Sequence, residues 1–135
     1  MALTKITSDM TDSSILKYSN IGDTVASIEL SQIIKSADYT TVLADAGKHI
    51  LHPSADTTAR TFTIPANSSV AYPIGSSVTF INQNSAGILT IAITSDTMRL
   101  AAEGTTGNRT LAADGIATAI KITATEWLIS GTALG

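Results

Sequence analysis

Residues 60–84 read RTFTIPANSSVAYPIGSSVTFINQN, and this stretch decides the fold. Phe62 and Ile64 alternate with threonines, which is the period-two pattern of a strand with one buried face. A second apolar run, VTFI, follows near the end of the stretch. The segment between the runs contains Pro65 and Pro73, whose fixed φ angles favour a bent connection. The stretch therefore predicts a strand, a long corner and a second strand, as where a chain crosses between the sheets of a sandwich or barrel.

The rest of the chain repeats short apolar runs of similar length, bounded by turn-forming residues. We expect further strands at residues 39–43, 48–52, 88–93, 97–101, 116–123 and 126–130. Residues 44–47 should close the first two into a hairpin, and Asp114-Gly115 is the strongest tight-turn signal of the chain. Roughly eight or nine strands at this spacing predict an all-β domain, either an antiparallel β-sandwich or a jelly-roll-like small barrel.

The composition describes a neutral surface. Only 14% of the 135 residues are charged, while 44% are hydrophobic, with alanine among them, and Ser, Thr and Gly make up most of the rest. A surface with few charges resists association poorly, so it is compatible with a chain that buries its outside against copies of itself. The net charge of −3 and the scattered basic residues argue against a nucleic-acid partner.

Neither a leader sequence nor a membrane span is evident in the sequence. The first ten residues, MALTKITSDM, lack the apolar run of a signal peptide, and no run approaches the roughly 20 apolar residues that cross a membrane. We therefore expect a soluble protein made in the cytoplasm, with no membrane partner.

Residues 1–37 differ from the rest of the chain because they are richer in acidic residues and contain no proline. The alternation at residues 26–31 indicates an extended segment, although Asp23 could instead cap a helix. Two interpretations stay open: an arm that docks on a partner, or an extra strand packed on its own domain. We divide the chain into an extended N-terminal attachment arm at 1–37 and a β-domain at 38–135. The apolar residues assigned to the arm are Leu3, Ile6, Ile15, Leu16, Ile21, Val25, Ile28, Leu30, Ile33 and Ile34.

The residue types that carry catalysis are scarce. His49 and His52 are spaced i, i+3, so on a strand they point to opposite faces and cannot jointly bind a metal. The chain contains no cysteine nucleophile and no serine in a G-x-S-x-G turn. The acidic residues at turns, which are Asp96, Glu103, Asp114 and Glu126, are interpreted as turn formers. We therefore expect no enzyme, no cofactor and no metal site.

Four segments occur in an order that resembles a known family. They are ADYTTVLADAGKHI (37–50), TIPANSSVAYPIGSSVTFINQ (63–83), AGILTIAI (86–93) and RTLAADGIATAIKITATEWLISG (109–131). The set resembles a β-rich module of tailed-bacteriophage virion proteins, with its D-A-G-K turn, its proline-bounded corner and its closing W-L-I-x-G. The resemblance covers roughly three quarters of the chain, and the opening MALTKITSDM is similar to the start of many phage fibre chains.

The resemblance implies a virion structural protein that forms a homotrimer. Because the module follows a lead of only about 37 residues, a capsid decoration (cement) protein fits better than a long receptor-binding fibre. Its partners would be copies of itself and the phage major capsid protein or a tail protein. The alternative is a short tail fibre or tail accessory protein whose β-domain binds a host glycan. Candidate glycan platforms are Tyr18, Tyr39, Tyr72 and Trp127, although core or subunit packing is the favoured role of Trp127.

Overall fold

The computed structural model describes residues 29–135, and it confirms the all-β class. The described residues form nine strands and one turn of 3-10 helix, Leu43–Asp45, without any α-helix. The strands are β1 (Gln32–Ile34), β2 (Tyr39–Thr40), β3 (Lys48–His52), β4 (Arg60–Ile64), β5 (Ser77–Asn82), β6 (Leu89–Ile93), β7 (Thr97–Leu100), β8 (Arg109–Thr123) and β9 (Glu126–Leu134).

The strands join in one mixed sheet with the order β1-β3-β5-β8-β6-β4-β2, while β9 pairs with β8 and β7 pairs with β9. Strands β1, β3 and β5 run parallel to one another and form what we call the first wing. Strands β2, β4 and β6 also run parallel and form the second wing. The chain alternates between the wings from β1 to β6, and β8 joins them by pairing antiparallel with both β5 and β6.

The sheet curls into a half-barrel. Strands β1 and β2 lie at opposite ends of the strand order, yet only residues 35–38 separate them along the chain. A connection of that length spans at most about 18 Å, so the two ends of the sheet must approach one another. The expectation of antiparallel pairing is wrong for most of the sheet: only β5–β8, β6–β8 and β8–β9 are antiparallel among the eight pairings of the described strands.

The core fills the inside of the curl. Phe62 of the second wing lies 6.5 Å from Phe80 of the first, measured between ring centroids, so the two wings pack on each other. Tyr72, from the corner that links β4 to β5, meets Trp127 edge-to-face at 5.3 Å. The predicted alternation of Phe62 and Ile64 is confirmed, since both are completely buried while the neighbouring threonines are not. The long corner crosses between the wings, as the sequence pattern indicates.

The predicted hairpin at residues 39–52 is wrong. Strand β2 pairs with β4, and β3 pairs with β1 and β5, so the two segments lie in different wings. The reason is the 3-10 turn between them. The buried carboxylate of Asp45 accepts hydrogen bonds from the Val42 N–H at 2.8 Å and the Tyr39 hydroxyl at 2.9 Å, which fixes a helical turn instead of a reversal.

The predicted turn at Asp114-Gly115 is also wrong, because β8 runs through both residues without reversing. Only Asp114 has a positive φ, of 64°, while a type I′ turn needs two such residues in succession. A single left-handed residue instead makes a bulge, where the register of β8 against β9 shifts. Before the bulge β8 pairs with β6, and after it β8 pairs with β5.

The sheet begins inside the segment that the sequence assigned to the arm. The compact unit of the described chain starts at Ser31, and β1 is paired with β3. Ile33 is partly buried there, whereas Leu30 and Ile34 are exposed. The other predicted arm residues lie outside the described part of the chain, and their role in attachment stays a prediction. They are Leu3, Ile6, Ile15, Leu16, Ile21, Val25 and Ile28.

Candidate interaction surface

One outer face of the half-barrel carries apolar side chains in place of charged ones. On β8 the side chains of Ala117, Ala119 and Lys121 are buried, so the intervening positions point away from the core. The register then assigns the outward residues of the neighbouring strands to the same face, which we call the isoleucine face. It consists of Gln32, Ile34, His49, Leu51, Ser77, Thr79, Ile81, Ile116, Thr118, Ile120, Ile122, Leu128, Ser130 and Thr132.

The largest apolar residues of this face stand in rows across the strands. Ile34, Leu51, Ile81 and Ile116 lie opposite one another on β1, β3, β5 and β8. Ile120 lies opposite Leu128 of β9 and forms a second row. The exposed fractions are 58% for Ile34, 46% for Ile116 and 44% for Ile120, so these side chains remain in water although they adjoin one another.

The polar side chains between the two rows are hydrogen-bonded to one another. The Thr79 and Thr118 hydroxyls lie 2.9 Å apart, and a ring nitrogen of His49 lies 2.9 Å from the Gln32 side-chain oxygen. These two contacts reduce the number of polar atoms that a partner covering the face would have to pair. None of the fourteen residues of the face is Asp, Glu, Lys or Arg.

The outer face of the second wing is also uncharged, but it is polar. The register aligns Thr61, Thr90 and Thr110 across β4, β6 and β8, and aligns Thr40, Thr63 and Ala92 beside them. We call these six residues the threonine face. It differs from the isoleucine face in having hydroxyls where the other has branched aliphatic side chains.

The basic residues on the strands of the two wings and on β8 lie on the inner side of the sheet, opposite to the isoleucine and threonine faces. Lys48, Arg60, Arg109 and Lys121 all alternate in phase with core residues of their strands. Each of the last three has a partner inside the protein. Arg60 binds Asp56, Arg109 donates to the Thr105 carbonyl, and Lys121 donates to the Asn67 side-chain oxygen at 2.5 Å. In the paired wings these basic side chains therefore lie on the inner side, whereas the Arg99–Glu126 ion pair lies on the outer side at the β7–β9 edge.

The buried polar cluster around His52 is closed to solvent. His52 is fully buried, with Nδ1 2.9 Å from the Asn82 side-chain oxygen and Nε2 3.2 Å from a carboxylate oxygen of Asp56. The hydrogen bond from Arg60 holds the pKa of Asp56 well below its usual range. The Asn82 amide donates to the carbonyls of Gly87 and Leu111. These contacts hold the loop between β3 and β4 on the sheet.

The histidines and carboxylates that the sequence offered as candidates for metal binding or catalysis do not cluster in the described part of the chain. His49 and His52 point to opposite faces, as expected, and the described residues hold no group of three His, Cys, Asp or Glu side chains able to bind a metal ion. The predicted turn-forming carboxylates have different surroundings: Asp96 accepts from the Asn67 N–H, Glu126 pairs with Arg99, and Asp114 lies in the β8 bulge. Glu103 is exposed in a loop.

The aromatic candidates lie mainly inside the protein. Trp127 is fully buried, which confirms its predicted core packing, and Tyr72 is 3% exposed. Tyr39 is only partly buried, and burial together with its hydrogen bond to Asp45 raises the pKa of the Tyr39 hydroxyl to about 12. Tyr18 lies outside the described residues. No fully exposed aromatic ring is therefore found in the part of the chain that the structure describes.

Sequence reasoning missed the isoleucine face. The available signal was the alternation along β8, where Ile116, Ile120 and Ile122 share one side and small residues share the other. Large apolar residues are ordinarily assigned to the core, yet here Ala117 and Ala119 face inward. Ala117 lies directly opposite Phe80 of β5, and both belong to the buried core.

Family models, curated proteins and solved structures were compared with the chain, and none of them matched it. The described residues contain no helix of the length and apolarity that a membrane crossing requires.

Proposed function

We propose that this protein is a structural component of a tailed-bacteriophage virion that self-associates as a homotrimer and decorates the capsid as a cement protein. The part of the predicted arm that precedes β1 attaches it to the major capsid protein. The observation that carries the proposal is the isoleucine face, a contiguous outer surface without a formal charge on any of its fourteen residues. The resemblance of residues 37–131 to phage virion modules supplies the biological setting.

The face supports a protein-contact role because of its size and chemistry. Isolated exposed apolar residues are normal on soluble proteins, but contiguous apolar patches mark contact surfaces. The centre of an interface is depleted of charge and its rim is polar. Here the apolar rows are bordered by Asp114 on β8 and by the Arg99–Glu126 ion pair on β7 and β9.

A cement protein needs surfaces for contact and no reaction chemistry. By binding the assembled shell and not its separated subunits, it shifts the assembly equilibrium towards the intact particle by mass action. A rigid half-barrel with two uncharged outer faces suits that task, because one face can contact copies of the protein while loops and termini contact the shell. The buried His52 cluster and the interior Lys121 then serve the fold.

The described aromatic residues favour decoration over the glycan-binding alternative. Stacking on a sugar requires an exposed aromatic ring, whereas Trp127 and Tyr72 are buried in the core. Tyr39 is occupied by its contacts with Phe62 and Asp45. A short tail protein that recognises host sugars would therefore have to use polar groups alone in this part of the chain.

Size-exclusion chromatography with light scattering on the full chain tests self-association. We expect a mass of about 42 kDa at micromolar concentration, three times the 13.9 kDa chain. A monomeric mass under these conditions would contradict the proposal. Quantitative mass spectrometry of the intact particle then tests the location, since decoration requires hundreds of copies and a tail position requires at most dozens.

A further inference from the structure

We infer that the isoleucine face is the contact between copies of this chain, and that copies meet with this same face around a rotation axis. The inference rests on the proposed self-association and adds to it the surface and its partner. It is argued from the register of the strands, from the extent of the face and from the distribution of charge.

The face is large enough to form the centre of a stable interface. It crosses five strands, β1, β3, β5, β8 and β9, which at about 4.8 Å per strand spacing gives a width of roughly 19 Å. Ile116 and Ile122 are six residues apart on β8, or about 20 Å along the strand. The flat footprint is roughly 400 Å², half of its residues are apolar, and the accessible area of protruding side chains is larger. Bordering loops would extend it towards the roughly 800 Å² that each partner contributes to a standard interface.

The absence of charge favours a second copy as the occupant. Side chains close to a symmetry axis approach their own equivalents, so a charged residue near the axis would repel its copy. The fourteen residues of the isoleucine face include no Asp, Glu, Lys or Arg, and the nearest charges of the same side, Arg99 and Glu126 at the β7–β9 edge, neutralise each other. A different protein as partner would gain specificity from complementary charges, for which this face offers no counterpart. With a net charge of −3 per chain, two copies meet most easily where neither presents its charges.

The first test places a carboxylate in the longer apolar row of the face, at Ile116. Ile116→Glu should raise the dissociation constant of the oligomer by about a hundredfold or more, because an unpaired charge would be buried in the contact. Thr63→Glu adds the same charge to the threonine face and should leave the mass from light scattering unchanged. Circular dichroism and thermal unfolding check that both variants are folded. An Ile116→Glu variant that is folded and keeps the wild-type mass would overturn the inference.

The second test does not depend on the tolerance of Ile116 to a charge. The chain has no cysteine, so Ile116→Cys carries one thiol, and a short bis-maleimide reagent can link it only to the thiol of a neighbouring copy. We expect efficient cross-linking, complete in a dimer and limited to about two thirds of the chains in a trimer, since one thiol joins only two copies. Thr90→Cys on the threonine face is the control and should remain unlinked.

The outcomes separate this inference from the proposed function. A monomeric wild-type chain overturns both. An oligomeric wild-type chain in which Ile116→Cys is not cross-linked, or is linked no better than Thr90→Cys, overturns the inference and leaves the self-association standing. Coverage of the face by residues 1–28 of the same chain would also leave Ile116→Cys unlinked, and it would likewise contradict contact between copies.

Discussion

At the scale of single residues, the interior of this protein is unusual in holding a lysine. Lys121 is 1% exposed, donates to the Asn67 side chain and lies with its ammonium 5.8 Å from the centre of the Trp127 ring. Burial of an ammonium costs free energy, which one neutral hydrogen bond and an aromatic ring offset only in part. The aliphatic stem of the side chain packs in the core, and we attribute the stabilising contribution of Lys121 to that stem.

Substitution at Lys121 separates the two parts of the side chain. Lys121→Met keeps an unbranched apolar chain and removes the buried charge, so we expect a free energy of unfolding equal to or above that of the wild type. Lys121→Ala removes the stem as well and should lower the free energy of unfolding by about 2 kcal/mol. Urea denaturation measures both. If Lys121→Met is destabilised as strongly as Lys121→Ala, the hydrogen bond to Asn67 is the contribution that matters.

Asp56 gives a pH-dependent contribution whose sign follows from its depressed pKa. Because Arg60 holds the pKa of the Asp56 carboxyl below its unfolded value, the folded state keeps the carboxylate charged where the unfolded state has already bound a proton. The stabilisation is therefore complete above the ordinary aspartate pKa of about 3.9 and is lost as the pH falls towards the depressed value.

The variant Asp56→Asn isolates this effect. We expect Asp56→Asn to be less stable than the wild type at pH 7 and the difference to shrink steadily below about pH 4. Urea denaturation at pH 7, 4 and 2 measures the difference. Its persistence at pH 2 at the neutral-pH value would show that the contact with Arg60 is not electrostatic. Glu103→Gln, in an exposed loop, is a matched control and should show no such trend.

At the scale of elements, β8 organises the sheet, and its bulge is what allows one strand to serve both wings. Asp114 takes the left-handed conformation, and Gly115 lies so close to the preceding turn of chain that an added Cβ would be 2.6 Å from the Leu111 side chain and 2.7 Å from the Ala112 carbonyl. Gly115 is needed because its surroundings leave no room for a Cβ atom. Asp114 contributes the left-handed backbone conformation that bends the strand.

We therefore expect Gly115→Ala to lower the free energy of unfolding by about 2 kcal/mol, as overpacking in a tight position does. Asp114→Gly is the matched control next to it. Glycine adopts a positive φ without strain, so that variant should stay within about 1 kcal/mol of the wild type. Chemical denaturation of the pair measures both values. Equal tolerance of the two substitutions would mean that β8 relaxes freely at the bulge and that the bend is not fixed by close packing.

The elements also show how far the sequence could predict the fold. Strand positions such as Arg60–Ile64 and Leu89–Ile93 follow from alternation, which is a local property of neighbouring side chains. The pairing of the strands does not follow from alternation, because a strand of this length can pair equally well in the parallel or the antiparallel direction. The parallel wings depend on the long corner and on the Leu43–Asp45 turn, each of which sends the next strand to the opposite wing. At Asp114-Gly115 the local signal found the left-handed residue but not its consequence.

At the scale of the whole molecule, the half-barrel separates two kinds of surface. The basic residues of the paired wings lie on the inward side of their strands, and the outward side carries branched aliphatic and hydroxyl side chains. The sequence composition indicated a neutral exterior but could not locate it, because the rows of Ile34, Leu51, Ile81 and Ile116 come from four strands far apart along the chain. Only the register brings them together.

The extent of the self-contained unit leads to a prediction about truncation. Among residues 29–135 the buried hydrophobic core lies between Ile50 and Ile129, and the compact unit begins at Ser31, so removal of residues 1–28 should leave a cooperatively folding domain. Removal of residues 1–35 goes further and strips β1 from β3. It uncovers the edge of β3 and removes the partly buried Ile33, which should cost about 1–2 kcal/mol of unfolding free energy and promote aggregation.

Thermal and urea unfolding of the two truncated chains measure this difference. Because β1 contributes Ile34 to the outer row, the longer truncation should also weaken self-association through the isoleucine face, whereas the shorter one should preserve it. Light scattering at several concentrations separates these effects from stability. If both truncated chains associate as the full chain does, Ile34 lies outside the contact and the interface must be centred on β8 and β9. If only the shorter one does, the contact reaches the edge strand.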